Sequence, residues 1–359
     1  MLHVAFGTFK FAPKSGPISL TRAPRFTVLT PTFNRADDLS RLFYSLVNQT
    51  LQDFEWILVD DGSTDATSEL VADWARNSSF PIRYRYQSNQ GKHVALNVGI
   101  SEARGDFVAQ IDSDDEYLPR ALERFCFYWD SIEQSTRDQF VGVTGLCLDR
   151  AGELIGERFP SAIFDSTSLN VQYRNRITGD KCGFQRTEVL RKFRFPEPKV
   201  RTVVPEGIVW RRIALSYQTR FVNEPFAVCS TATDIQRLSR SAPSRYAYGL
   251  ALNYEDVLNH YPKWLARSPK EFLRSGTNFV RFSHHLGRRY ERIFLTLGLR
   301  RNGQLARGAG HVTLQRRRLV TCAETATHRS YRRVELRVSR TAGPYNLGVQ
   351  LGEVSLRQP

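Results

Sequence analysis

The chain has 359 residues, 41% of them hydrophobic, with a formal net charge of +15. That length suits one large α/β domain with an appendage, or two modest domains, and the apolar content excludes wholesale disorder. The charge predicts attraction to anions, but twelve arginines face only three glutamates beyond Leu299, so much of the excess lies in the last stretch of chain.

From Arg25 onward the pattern alternates strand and helix. Phe26 to Leu29 is a short apolar strand, followed by a stripe of Leu39, Leu42, Phe43, Leu46 and Val47 at helical spacing, with Asp37 and Asp38 at its start. Trp56 to Val59 is a continuous apolar run ending in Asp60 and Asp61, the signature of a buried parallel strand. Leu70, Val71, Trp74 and Ala75 form the next helical stripe. Ile82 to Tyr86 predicts a strand, Val94 to Ala103 a helix, and Phe107 to Ile111 another buried strand that runs into Asp112-Ser113-Asp114-Asp115. Strands with intervening helices make a parallel sheet with right-handed crossovers, and ligands of such sheets sit beyond the carboxyl ends of the strands. The polar segments Thr30–Arg35, Asp60–Asp65 and Asp112–Asp115 all fall at those ends.

The second half is more mixed. Phe140 to Leu148 reads as a strand, while Thr187 to Phe193 and Glu206 to Tyr217 read as helices, the latter with Val209, Ile213 and Tyr217 on one face. Tyr246 to Tyr261 and Pro269 to His285 are helical stretches without a chemical motif.

Asp112 and Asp114, on a tight turn after a buried strand, can aim carboxylate oxygens at one point, where a hard cation such as Mg²⁺ or Mn²⁺ takes one or two carboxylates plus substrate phosphates. In Asp60-Asp61-Gly62-Ser63, the glycine permits a close turn and Asp61 can accept hydrogen bonds from a base or ribose, with Thr64 or Asp65 capping the helix that follows. The loop Thr30-Pro31-Thr32-Phe33-Asn34-Arg35 offers two hydroxyls, an amide and a guanidinium to a nucleotide. Gln90-Gly91-Lys92 would present backbone N–H groups and an ammonium to a phosphate. Glu206 stands at a helix start, as a general base or as a favourable helix-dipole charge.

The blocks P-T-F-N-R, V-D-D-G-S-T-D, N-Q-G-K and D-S-D-D, in that order and spacing between Phe26 and about Arg240, resemble the family 2 inverting glycosyltransferases of the GT-A fold. The stretches Gly179-Asp180-Lys181, Phe184 to Leu190 and Val204 to Trp210 are similar to a subgroup of polysaccharide-assembly transferases. The resemblance implies a mostly parallel mixed sheet flanked by helices and a C-terminal helical extension. It implies that Thr30 and Asp61 hold the nucleotide base, that Thr32, Asn34 and Arg35 shape that pocket, and that Asp112 and Asp114 meet ribose and metal with Asp115 assisting. The acceptor-activating carboxylate falls at Glu206, with Asp180 competing, because glycine follows Glu206 where the family carries an aspartate. The implied partners are a nucleotide-diphosphate sugar and a glycan or lipid-linked acceptor.

The layout expected from these features is an N-terminal extension over 1–24, a transferase domain over 25–240, a helical extension over 241–299 and an arginine-rich tail over 300–359 whose weak periodicity suits disorder. No nucleic-acid partner is expected, since no helix-turn-helix, zinc-finger or RRM signature occurs. The five cysteines are scattered without a C-x-x-C pair, and no signal-peptide run or stretch of about 18 apolar residues appears. A cytoplasmic protein is expected, with its basic C-terminal part suited to the inner face of the membrane. Two other readings stay open: a nucleotidyltransferase, although its glycine-rich loop is missing at Thr30–Arg35, and an inactive GT-A relative that binds nucleotide sugars.

Overall fold

The computed structural model describes residues 22–230, 246–261, 264, 268–287, 334–340 and 347–353. The chain divides into two compact units, 1–253 and 254–359. The domain boundary expected at 240 lies outside the described residues.

The first unit opens with β1 (Phe26–Thr32), α1 (Ala36–Val47), β2 (Phe54–Asp60), α2 (Thr67–Asn77), β3 (Ile82–Tyr86), α3 (Lys92–Glu102) and β4 (Phe107–Gln110). β1 pairs in parallel with β2 and with β4, and β2 pairs in parallel with β3. Every residue of β1 and β2 is buried, as expected for strands covered on both faces, whereas β3 is half-exposed at the sheet edge.

Next come β5 (Glu116–Tyr117), α4 (Ala121–Asp130), β6 (Phe140–Leu148), β7 (Ile163–Ser166), β8 (Lys181–Arg186), α5 (Thr187–Lys192), α6 (Gly207–Ile213) and β9 (Gln218–Val228). They complete a nine-stranded mixed sheet in the order β3-β2-β1-β4-β8-β6-β9-β5, with β7 on β9. β8 runs antiparallel to β4, which brings the start of β8 to the carboxyl end of β4. Two apolar layers close over the sheet. On one face α1, α2 and α4 pack Leu42, Phe43, Trp74 and Phe125 against Val28, Trp56 and Leu58. On the other, α3, α5 and α6 pack Leu96, Leu190 and Val209 against Leu29, Ile57 and Val59. This two-sided burial is why alternate residues of one strand serve different helices.

α6 is shorter than its pattern suggests. After Ile213 the N–H groups of Leu215 and Ser216 reach back three residues, to Arg212 at 3.3 Å and Ile213 at 3.0 Å. That tightening ends the helix, yet the Tyr217 N–H still reaches Ile213 O at 2.9 Å and its side chain packs on the same apolar layer as Val209 and Ile213, just before β9 begins.

α7 (Ala247–His260) spans the division between the units. In the second unit, α8 (Pro269–His285) begins with proline at its N-terminus, and Phe282 stacks on Tyr254 with ring centroids 6.0 Å apart. Within the segment expected as a tail, β10 (Val334–Arg340) and β11 (Leu347–Glu353) pair antiparallel. No helix among the described residues is long and apolar enough to cross a membrane.

Asp65 joins two helix starts. One of its oxygens accepts the Thr67 N–H at 3.1 Å and the Thr67 hydroxyl at 2.6 Å, and the other accepts the Ala36 N–H at 3.1 Å. Partial burial opposes its charge, but the Thr67 hydroxyl and these amides hold its carboxyl below the usual aspartate range. Asp65→Ala should therefore cost about 1–2 kcal/mol in urea denaturation at neutral pH. Because the folded-state pKa is lowered, this contribution is present above the unfolded value of about 3.9 and disappears as pH falls below it, so the variant and parent should converge in acid. A gap that stays constant from pH 7 to pH 3 contradicts this.

Candidate active site

The carboxyl ends of β1, β2, β3 and β4 are tied together by backbone hydrogen bonds beyond the regular ladder. The Asp61 N–H donates to Thr32 O at 2.8 Å, Ile111 N–H to Leu29 O at 3.0 Å, and Gln87 N–H to Asp60 O at 2.9 Å. All three polar segments therefore meet at one rim.

At the tip of β1, Thr30 is fully buried and its hydroxyl accepts the Trp56 indole N–H at 3.0 Å. It supports the rim from inside the core and offers no exposed surface to a base. Thr32 is also buried, and its hydroxyl has no protein partner among the described residues. Asn34 takes a left-handed conformation with φ of 50°, which asparagine tolerates. Its N–H donates to Ser63 Oγ at 2.8 Å and its Oδ1 accepts the Thr64 N–H at 2.8 Å, clamping the β1 and β2 tips. Arg35 pairs with Asp38 at 3.1 Å. Phe33, between Thr32 and Asn34, is exposed, a large ring on the same loop.

At the tip of β2, Asp60 accepts the Ser63 N–H at 2.7 Å and the Tyr84 hydroxyl at 2.6 Å. Burial, and then that bond to a carboxylate, raise the Tyr84 phenol above its ordinary range. Asp61 is buried and collects three donors: Gln87 Nε2 at 2.7 Å and Gln90 N–H at 2.8 Å on Oδ1, and Gly91 N–H at 2.8 Å on Oδ2. The N–H groups of Gln90 and Gly91, expected from the sequence to meet a phosphate, are thus donated to Asp61. A buried carboxylate must be met by donors or neutralise, and these are the nearest. The loop can turn there because Gly91 sits at φ of 103°, where a Cβ would lie 2.8 Å from the His93 ring. Burial holds His93 below the usual histidine range, against the opposing charge of Asp61.

Lys92 is the first residue of α3, and its ammonium lies between two carboxylates. It contacts Asp112 at 2.6 and 2.8 Å and Glu206 at 2.7 Å. Burial alone would lower its pKa, but Asp112 and Glu206 outweigh that and hold the ammonium well above the usual lysine range. The second Glu206 oxygen accepts Gln110 Nε2 at 2.9 Å. Glu206 is therefore joined to the acidic loop through one cation. Asp180 is exposed just before β8, and no hydrogen bond among the described residues joins it to Lys92, Asp112 or Glu206.

Asp112, Asp114 and Asp115 each offer a carboxylate oxygen, all within 4.8 Å of one another. Burial pushes Asp115 up to about 7, with the Asp112 and Asp114 charges adding to it and the Ser230 N–H, at 2.9 Å, opposing. Hard oxygen donors converging where negative charge repels itself fit a divalent cation such as Mg²⁺ or Mn²⁺. Ser230 Oγ also donates to Asp114 O at 2.8 Å and accepts from Arg150 at 2.7 Å. Sequence reasoning missed Gln110, Ser230 and Arg150. Gln110 had a readable signal as the polar residue in the run F-V-A-Q-I; Ser230 depends on the pairing of β9 with β5 beside the acidic loop, and Arg150 on the pairing of β6 with β9.

Residues 27–190 match the glycosyl transferase family 2 profile. That segment is a glycosyl transferase family 2 domain. It covers β1 through most of α5, and so includes Asp61, Lys92 and the acidic loop, while Glu206 lies beyond it. The chain is 31% identical over 151 residues to chondroitin synthase of Escherichia coli, covering 42% of this chain and 21% of that protein. It is 34% identical over 137 residues to GalNAc(5)-diNAcBac-PP-undecaprenol beta-1,3-glucosyltransferase of Campylobacter jejuni, covering 37% of this chain and 42% of that protein. The chain spans between 16% and 42% of the length of the curated relatives it matches. Among solved structures it is similar to S. aureus TarS 1-349 in complex with UDP-GlcNAc, with a TM-score of 0.52 and 20% identity over 73% of this chain and 72% of that one. The fold of the transferase domain is GT-A.

Because Asp61 gathers three donors in a buried place, Asp61→Ala should leave them unpaired and cost roughly 3 kcal/mol or more. Urea denaturation monitored by tryptophan fluorescence measures this. A loss below about 0.5 kcal/mol would contradict the clamp.

Proposed function

We propose that the chain is an inverting glycosyltransferase that moves a sugar from a nucleotide-diphosphate donor to an acceptor hydroxyl in cell-surface polysaccharide or glycoconjugate assembly. The observation that carries this is the contact of Lys92 with both Asp112 and Glu206 on a rim shared with Asp61, inside or next to a family 2 domain.

Thr32, Asn34, Arg35 and Asp61 surround the base, with Thr30 bracing them through Trp56, and Lys92 supplies a cation for the diphosphate. Asp112 meets the ribose. Asp114 and Asp112 would hold Mg²⁺ or Mn²⁺, which supplies Lewis-acid neutralisation of the diphosphate leaving group. Glu206 takes the proton of the acceptor hydroxyl. The hydroxyl oxygen then bonds to the anomeric carbon from the face opposite the diphosphate, the carbon–oxygen bond to the diphosphate breaks, and the configuration inverts. Orientation and charge complementarity supply most of the rate. Glu206 is preferred over Asp180 because it is linked to the acidic loop through Lys92. Relatives named as a chondroitin synthase and as a glucosyltransferase acting on an undecaprenol-linked glycan favour a glycan or lipid-linked acceptor. The family match favours this reading over a nucleotidyltransferase. The chain is placed in the cytoplasm, with the arginines beyond Leu299 against the anionic inner face of the membrane.

Transfer from a panel of nucleotide sugars should fall by roughly 10²-fold or more in Asp114→Asn, with an unchanged melting temperature. Glu206→Gln should keep donor affinity while transfer falls by about 10²–10⁴-fold, and Asp180→Asn should transfer normally. Loss of transfer in Asp180→Asn alone would move the base to Asp180, and donor binding without transfer in the parent would make the chain an inactive binder. For the membrane contact, the full chain should sediment with phosphatidylserine vesicles at low salt and be released at high salt. Equal recovery with neutral vesicles would refute it.

A further inference from the structure

We infer that Lys92 is a removable counter-ion: bridging Asp112 and Glu206 it masks both together, and a nucleoside diphosphate draws it away, releasing both carboxylates at once. This rests on the donor site and base proposed above.

Three observations carry it. Both Glu206 oxygens are engaged, one by Lys92 at 2.7 Å and the other by Gln110 at 2.9 Å, so an incoming hydroxyl must share an oxygen with one of them, and the Lys92 charge weakens the pull of that oxygen on its proton. Asp112 is likewise held through both oxygens, at 2.6 and 2.8 Å, by the same ammonium. The backbone under Lys92 is pinned, because the adjacent Gly91 N–H is held by Asp61 at 2.8 Å. What can move is the four-carbon side chain.

The three side chains are 30%, 42% and 28% exposed for Lys92, Asp112 and Glu206, enough for a ligand to reach the bridge. One positive charge between two carboxylates, with Asp114 and Asp115 nearby, sits where a metal would also be attracted. The ammonium and a metal therefore compete for Asp112. A diphosphate has the opposite effect, since its oxygens offer Lys92 another partner as the metal takes over Asp112. A donor-loaded site then presents a free base, whereas the site bridged by Lys92 does not.

This competition predicts shifts of opposite sign. Titration of the full chain with Mn²⁺ alone should show binding about tenfold tighter in Lys92→Met than in the parent, because an adjacent unit charge shifts ionic equilibria by roughly that much. Titration with UDP and with GDP at saturating Mn²⁺ should show whichever nucleotide the parent binds held about tenfold more weakly. Lys92→Gln, which keeps a hydrogen-bond donor without the charge, should shift both in the same directions. Lys92→Arg should return Mn²⁺ affinity to the parent value. Unchanged or weaker Mn²⁺ binding in the Met and Gln variants, with melting temperatures intact, overturns the counter-ion role while leaving the transferase reading in place. A parent that binds neither Mn²⁺ nor either nucleotide overturns both.

Discussion

The burial of the Asp61 carboxylate is the constraint on which the site depends. Removed from water at the end of β2, it must be surrounded by donors, and it finds them in Gln87, Gln90 and Gly91. Those bonds shape the loop between β3 and α3 and force Gly91 into a conformation that side chains avoid. They also decide where α3 begins. Its first residue, Lys92, is thereby delivered to the tip of β4 and to the start of α6. One acceptor thus organises three strand ends and a helix start.

The two halves of the sheet have separate tasks. The parallel half, β3-β2-β1-β4, gathers Asp60, Asp61, Lys92 and Asp112 at a single rim, as the chain direction of parallel strands requires. The mixed half brings residues from far along the sequence to the same place. α6 presents Glu206 from its N-terminal end, and the end of β9 places Ser230 under the acidic loop. A family 2 domain accounts for the first set, while the second lies beyond residue 190. On the proposed function, donor chemistry and acceptor chemistry belong to different parts of the chain, joined by one lysine.

Much of this was legible in the residues. Ile82–Tyr86, Phe140–Leu148 and Pro269–His285 form as their periodicity predicts, because local pattern is what those features depend on; the cap of α2 falls on Ala66, and Asp65 accepts the Thr67 N–H from one residue earlier. The convergence of Asp61 and Asp112 followed from parallel topology alone. What depends on long-range packing did not show. Glu55 looks like a polar interruption of β2, yet it is fully buried, accepting the Thr27 hydroxyl and the Arg104 N–H, both at 2.8 Å, with Arg83 at 3.3 Å. The commitment of Thr30 to Trp56, and of the Gly91 N–H to Asp61, is hidden for the same reason: the partner lies tens of residues away. The sequence pattern put Glu206 first but left Asp180 competing, because glycine follows Glu206 where the resembled family carries an aspartate. The structure joins Glu206 to the acidic loop through Lys92 and to Gln110, and leaves Asp180 exposed.

The claim that these strand tips form one donor site is tested most directly by anomalous diffraction from crystals of the full chain grown with Mn²⁺ and a nucleoside diphosphate. The account predicts a single strong manganese peak about 2.1 Å from an Asp114 oxygen, with diphosphate density on its other side and the base beside Asp61. Manganese bound away from the acidic loop, or nucleotide density on a different face of the sheet, would contradict it.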